Sequence, residues 1–519
     1  MILYEKITIE RREAMAKTKR NLTEGPIFMP MIQFVIPIIL TGMLQMCYNM
    51  ADNIVVGRFS GDELALAAVG STTSLSNLIL NLLMGIAGGA GVVIAQSYGA
   101  KDYDKMSRAA HTSATFSFIG GIFFCILGLI IAKPALTLMD TKPELMSRAL
   151  LYMNIICMGI PASAVYNFGA ATLRAVGDSK TPLFILSSTG LCNVLLNLFF
   201  VIVCKMSVDG VALATITAQY ISAITVMIIL FKRKNVLYSL SKEKLKIDPA
   251  ILKQILRLGI PAGLQGTLFS ISNIILTAGI NNLPTTDISG KTIAINIESI
   301  VHTAMNSYLH AAMTFTGQNY GAKKPDRIKK SIFYAVIQVT VVGILGGQLI
   351  NLFAEPLASM YVKADDPNRE AVIAAAVNLM GFMLACYFLC GLMDTISGSL
   401  RGLGYSMVPM FVSIGAICVL RTIWVFSVFP PEDITWLPRL PWFEQFRSLI
   451  GIYTIYPVSW FLGLAIMTII LLFIFKKIKR RLTMEAEEKS ELEELGENAE
   501  AEAISDENIT EKDKKTEIM

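Results

Sequence analysis

The chain has 519 residues, of which 54% are hydrophobic and 16% charged, with a mean hydropathy of +0.56 and a formal net charge of +5. That balance lies outside soluble globular proteins, and apolar stretches of spanning length recur too often for a large soluble helical protein. The eight cysteines all fall inside such stretches and none sits at metal-site spacing with a histidine, so they read as small packing residues and exclude a disulfide scaffold.

Residues 1–28 are polar and basic, with Arg11, Arg12, Lys17, Lys19 and Arg20, and lack the apolar stretch and cleavage site of a signal peptide. Twelve membrane-spanning helices follow, at roughly 30–56, 64–97, 107–132, 145–173, 181–204, 210–231, 252–280, 291–317, 330–354, 370–398, 407–429 and 450–475. A first lobe is expected over 29–231, a basic linker over 232–250 and a second lobe over 251–480. Between the last two spans, residues 430–449 carry Trp436, Trp442, Phe443 and Phe446, as an interfacial segment or a lid would. The acidic tail 481–519 is rich in Glu and Lys with few large apolar groups, so disorder is expected there.

The two lobes repeat one another. IAQSYGAKDYD (94–104) matches TGQNYGAKKPD (316–326), and TLRAVGDSKTP (172–182) matches SLRGLGYSMVP (399–409). Pro37, Gly42 and Asn49 match Pro261, Gly266 and Asn273. The order and offset are kept, so half the chain duplicates the other half. The predicted fold is an all-α polytopic membrane protein, two six-helix bundles related by a pseudo-two-fold axis along the membrane normal.

Charge sets the orientation. One set of connections carries Lys101, Lys105, Arg108, Arg174, Lys180, Lys232–Lys234, Lys323, Lys324, Arg327 and Arg401, with Lys476–Arg481 after the last span. The alternate set holds Asp62, Glu63, Asp140, Glu144, Asp209, Asp287, Asp365 and Asp366. The positive-inside rule makes the first set cytoplasmic, and both termini with it.

Polar residues inside the spans carry the chemistry, because each is costly in hydrocarbon. Asp52 leads, in YNMADNIVVG beside Asn49 and Asn53, either within the outer half of the bilayer or on a helix that ends early in outer water. Asn193 and Asn197 share a face of span 5. Asn81, Asn154, Asn167 and Gln219 add polar groups to the first lobe, as substrate contacts or as glue between helices. In the second lobe Glu298 and Asp394 are candidate cavity carboxylates, and Arg421 either neutralises one of them or snorkels outward. His302 and His310 lie two turns apart on one helix. No nucleotide-binding loop, nucleophile elbow or HExxH pattern occurs, so no enzyme is expected.

With Pro37, ADNIVVGRFSGDELALAAVG (51–70), AQSYGA and GQNYGA, LRAVGD and LRGLGY, and VDGVALATITAQ (208–219), the chain resembles the multidrug and toxic compound extrusion (MATE) family over roughly 27–480. The resemblance implies two bundles facing each other in a V, with alternating access and export of organic cations and other drugs in exchange for H+ or Na+. It implies cation coupling at Asp52, with Asn193 matching a family asparagine. Asn197 stands where proton-coupled relatives often carry an aspartate, so Asp52 would act with Asn193 and Asn197 as hydrogen-bonding or sodium-coordinating neighbours. Pro37 is expected to be the hinge of span 1. The expectation is a multi-pass protein of the cell membrane, functional as a monomer, with no cofactor beyond the coupling ion, no bound metal other than a sodium ion near Asp52, and no nucleic-acid partner. The alternatives are a lipid-linked saccharide flippase, which would need a large, strongly cationic cavity, and a non-transporting receptor or membrane enzyme.

Overall fold

The computed structural model describes residues 22–59, 62, 64–139, 141–233, 238–281, 283–429 and 445–516. Most of the basic N-terminal segment and the 430–444 part of the aromatic stretch lie outside the described residues; Phe446 packs edge-on against Trp424, their ring centroids 5.0 Å apart. The described residues form helices and no strands.

The first half contains α1 Phe28–Phe59, α2 Ala65–Gly99, α3 Tyr103–Leu138, α4 Pro143–Ala175, α5 Lys180–Leu198 and α6 Val208–Lys232. A π-helical turn, Phe199–Val203, extends α5. The second half contains α7 Pro249–Ile280, α8 Thr285–Gly321, α9 Pro325–Leu352, the short α10 Ala354–Ser359, α11 Arg369–Cys386 and α12 Phe388–Gly402. Then come α13 Met407–Ser413, joined through the π-helical turn Ile414–Val419 to α14 Leu420–Val428, the short α15 Leu449–Tyr453 and α16 Ile455–Thr516. Helices α11 and α12 form one span interrupted at Tyr387. Eleven spans are long and apolar enough to cross a membrane by composition. The twelfth, α8, runs 37 residues. It carries Glu298, His302, Asn306, His310 and Thr314 at successive i+4 positions, a polar stripe on one face that lowers its hydropathy.

The duplication reaches the backbone. Lys101 and Lys323, at matching positions after α2 and α8, both adopt left-handed φ, 58° and 55°, and Gly177 and Gly404 match at 89° and 92°. These residues turn the chain sharply where a regular helix must stop. Pro37 sits within α1, which continues past it without a break; Thr41 Oγ1 donates to the Pro37 carbonyl at 2.7 Å.

Both lobes belong to one compact unit, Met1–Met467, and Thr468–Met519 forms a second. The lobes are not separate bodies because they share a core. Ala90 and Ile94 of α2, Phe168 and Leu173 of α4, Tyr238 and Leu240 of the linker, and Ile251 and Ile255 of α7 lie in one buried cluster. Helices α2 and α7 cross at paired glycines, Gly85 and Gly89 against Gly259 and Gly263. A Cβ on any of the four would strike the facing backbone. Small residues at four-residue spacing let helices touch backbone to backbone, as in membrane GxxxG crossings.

At the ends that carry the basic loops, the repeated motifs meet across the lobes. Gln96 Nε2 donates to the Gly402 carbonyl at 2.8 Å, and Gln318 Nε2 donates to the Ala175 carbonyl at 2.6 Å. Gln96 matches Gln318, and Ala175 matches Gly402, so this is one interaction made twice in opposite directions. Beside it Gly99 lies on the Gln318 carbonyl and Gly321 on the Gln96 carbonyl, each with no room for a Cβ.

Two further ties join the halves. Arg327 donates to the carbonyls of Gly25 (2.8 Å) and Leu22 (3.1 Å), Lys324 Nζ to that of Thr23 (3.0 Å), and Gln338 Nε2 to that of Phe28 (2.9 Å), so the strap before α1 is clasped by the second half. The inter-lobe linker is clasped by α3. His111 Nε2 accepts from Ser241 N at 2.9 Å, Thr112 Oγ1 accepts from Asp248 N at 3.1 Å, and Arg108 pairs with Asp248 at 3.0 Å.

The last span continues as one helix through Thr516. Its Glu, Ala and Lys residues are strong helix formers, and the i,i+4 pair Arg481–Glu485 (3.5 Å) supports the helix.

Candidate ion-coupling site

Asp52 lies on α1 seven residues before its end, half-buried. Asn197, fully buried on α5, donates its amide Nδ2 to Asp52 Oδ1 through a short hydrogen bond. Thr215 of α6 donates to Asp52 Oδ2 at 3.4 Å, and Asn197 Nδ2 also reaches Asn193 Oδ1 at 3.4 Å. Tyr152 of α4 stands within electrostatic reach. Asp52 is therefore inside the bundle, held by neutral donors, and no basic side chain adjoins it among the described residues. Asn197 Oδ1 is buried with no hydrogen-bond partner. A half-turn of that amide would place a second oxygen beside the carboxylate, giving with Asn193 and Thr215 the all-oxygen surroundings a hard cation takes.

The remaining first-lobe candidates do not join this cluster. Asn49, expected to bond Asp52, is exposed, as is Asn53, and the hydrogen bonds found to the carboxylate among the described residues come from Asn197 and Thr215 instead. Asn154 is half-buried and takes part in no hydrogen bond found among the described residues. Asn167 donates to Ser163 on its own helix at 2.8 Å. Gln219 Oε1 is buried against Gly159 of α4 without a partner, a helix-packing position. Asn81 crosses between lobes, donating to Ser270 at 3.3 Å.

The second lobe holds a larger polar cluster. Asn306 Nδ2 donates to Asp394 Oδ2 at 3.4 Å, and His302 Nε2 lies 3.9 Å from the same oxygen. Cys390 is one turn from Asp394 on α12. The donor atoms of His302, Cys390 and Asp394 lie within 4.8 Å of one another, a set that could hold a cation and that linear spacing had hidden. Glu298 is buried with Oε2 unpartnered, in reach of Tyr387, Tyr453 and Tyr456. Arg421 neither pairs with these acids nor snorkels. It is 3% exposed, donates through Nε and Nη2 to Ser459 Oγ at 3.1 Å each, and lies over the Tyr456 ring at 3.8 Å from the centroid. By the repeat offset of 227 that relates Arg174 to Arg401, Asp394 corresponds to Asn167, so the carboxylate is confined to the second half.

Sequence reasoning missed Thr215, Tyr152 and Asn306. The i+4 run on α8 was a legible signal for Asn306. Thr215 and Tyr152 carried none, since a hydroxyl inside a span usually bonds its own helix.

Comparison with known proteins decides the family. The MatE family model matches this chain twice, over residues 37–199 and 261–426. The chain belongs to the MatE family. The double match follows the duplication, one copy per lobe. "Probable multidrug resistance protein YoeA" of Bacillus subtilis (strain 168) is 28% identical over 390 residues, covering 74% of this chain and 83% of that protein. The "FAD transporter" of Shewanella oneidensis is 21% identical over 359 residues, covering 68% and 78%. In fold, the chain is similar to "Outward-facing conformation of a multidrug resistance MATE family transporter of the MOP superfamily", with a TM-score of 0.78 at 21% identity, covering 88% of this chain and 98% of that one. This MatE chain is thus a multi-span membrane efflux transporter and not an enzyme.

Proposed function

We propose that this transporter exports organic drugs and toxins, mainly cationic ones, in exchange for H+ or Na+, with Asp52 as the coupling carboxylate. One observation carries the reading: Asp52 stands inside the bundle on neutral donors only, Asn197 and Thr215. An ionised carboxylate without a cationic partner is costly there, so binding of a proton or a sodium ion is favoured. Binding discharges Asp52 and removes its attraction for a cationic drug, while release of the ion restores it. Alternating exposure of the site then exchanges ion for drug, with α1 bending near Pro37. The basic loops would face the cytoplasm of the cell and a monomer would suffice. The flippase alternative needs a large, strongly cationic cavity, whereas the candidate coupling site holds a carboxylate with no basic side chain beside it among the described residues.

The test is uptake of a dye-like cation by proteoliposomes under imposed Na+ or H+ gradients, with the wild type and Asp52→Asn. Gradient-driven uptake by the wild type identifies the ion. Unchanged driving of Asp52→Asn by both gradients would remove Asp52 from the coupling role.

A further inference from the structure

A cavity lies between the lobes, just inside the Gln96 and Gln318 contacts. It is lined by Asn167, Arg174, His310 and Thr314, with Gly88 and Gly91 of α2 on the facing side. A Cβ on Gly88 would meet nothing within 4 Å, so the space opens there. With ≈20 Å³ open to the centre of a water-sized body, it has room for one small polyatomic group.

Its polar wall is cationic. Arg174 makes no ion pair and no side-chain hydrogen bond among the described residues, and the neighbour acting on it electrostatically is the phenol of Tyr166. His310 Nδ1 is buried and without a partner. The guanidinium of Arg401, the repeat counterpart of Arg174, acts electrostatically on the His310 imidazole together with that of Arg174. Arg401 donates to Gln265 at 2.7 Å and feels Asp394, but its Nε is buried and unsatisfied. Arg174 and His310 thus face a space that no carboxylate lines, with the Arg401 guanidinium in electrostatic reach of the histidine. Buried charge without a counter-charge is costly, and guanidinium forks match oxyanions in geometry.

We propose that Arg174 and His310 form an anion-binding site between the lobes that takes a phosphate group, with the charge of Arg401 adding to its field. The group is either a free inorganic ion or the phosphate of an organic cargo. A bound phosphate would bridge Arg174 of the first half and His310 of the second and favour the closed arrangement of the basic ends. The proposal rests on the transport reading only for the second source; binding of the free ion stands alone.

The experiment is thermal unfolding of the purified full-length protein, titrated with inorganic phosphate against chloride at matched ionic strength. A saturable rise in the unfolding midpoint specific to phosphate is expected. Arg174→Gln and His310→Gln are expected to weaken the apparent affinity about tenfold or more, the loss of one charge-assisted contact, with Arg174→Lys intermediate. Riboflavin 5′-phosphate against riboflavin separates the sources. A larger rise with the ester than with phosphate, and none with riboflavin, assigns an organic cargo; an equal or smaller rise with the ester assigns the free ion. A response that follows ionic strength alone, or glutamine variants that respond like the wild type, overturns the site. If Arg174→Gln does not fold, His310→Gln and Arg174→Lys decide. Dye export under an ion gradient is measured separately, so an absent phosphate response with export intact overturns the anion site and leaves the transport reading standing.

Discussion

Gln96 and Gln318 occupy the same place in the two repeats, and each donates its side-chain amide to the arginine loop of the other half, at 2.8 and 2.6 Å. Replacing both by alanine should loosen the closed basic ends. Each bond contributes about 1 kcal/mol, so the double variant should shift the closed-to-open ratio roughly tenfold or more. Thr314→Cys, which lines the space behind the contacts, gives the readout: its labelling by a polar maleimide should quicken when both glutamines are gone. An unchanged labelling rate would deny the contact a gating role.

Gly99 and Gly321 face the carbonyls of Gln318 and Gln96 with no room for a Cβ, whereas a Cβ on Gly70 meets nothing within 4 Å. Gly99→Ala and Gly321→Ala should therefore impair transport to a similar degree, and Gly70→Ala should leave it near wild type. Unequal effects of the first two would show that the halves do not contribute alike to closure.

Thr215→Val keeps the shape of the side chain but removes the hydroxyl that reaches Asp52 at 3.4 Å. Loss of one such contact, about 1 kcal/mol, should raise the ion concentration for half-maximal exchange about fivefold. Exchange measured against ion concentration checks this, and an unchanged midpoint would place Thr215 outside the ion site.

Acid should release the linker. Asp248 accepts from the backbone N–H of Ile251 and of Ala250 and pairs with Arg108, which together hold its carboxyl below the ordinary carboxylate range. A lowered folded value means the contribution is complete above about pH 4, the ordinary aspartate value, and fades as pH falls through the lowered one. Asp248 is partly exposed and its partner Arg108 more so, so the effect should be small and local. Hydrogen exchange of residues 238–248 should accelerate below about pH 4 in the wild type, while Asp248→Asn should exchange fast at all pH values.

Ser459→Ala would leave the buried Arg421 with its Tyr456 ring contact but without its two hydrogen bonds. A loss of roughly 1–3 kcal/mol is expected, read as a lower unfolding midpoint. Ser459→Thr, which keeps the hydroxyl, should recover part of it.

The spans and the duplication were legible because hydrocarbon demands long apolar helices and a repeat leaves matching motifs. Asp52 was legible because a carboxylate in a span is rare. Its partners were half legible: Asn197 shares the expected face of α5, but Thr215 belongs to a helix whose rotation no local pattern reports. GAK and LRG are legible as repeated motifs, whereas Gln96–Gly402 and Gln318–Ala175 run between halves, a relation of distant segments that one motif cannot encode. Arg421 takes neither of the two fates its sequence offers, because Ser459 and Tyr456 come from a different span.

The strap at residues 22–28 leads into the first half yet is gripped by Arg327, Lys324 and Gln338 of the second. The linker leads into the second half yet is gripped by α3 of the first. The halves are thus stitched at two places, like a belt with two buckles. Cutting the chain in the linker would leave the first buckle fastened, so two half-chains made separately would still carry the means to find one another.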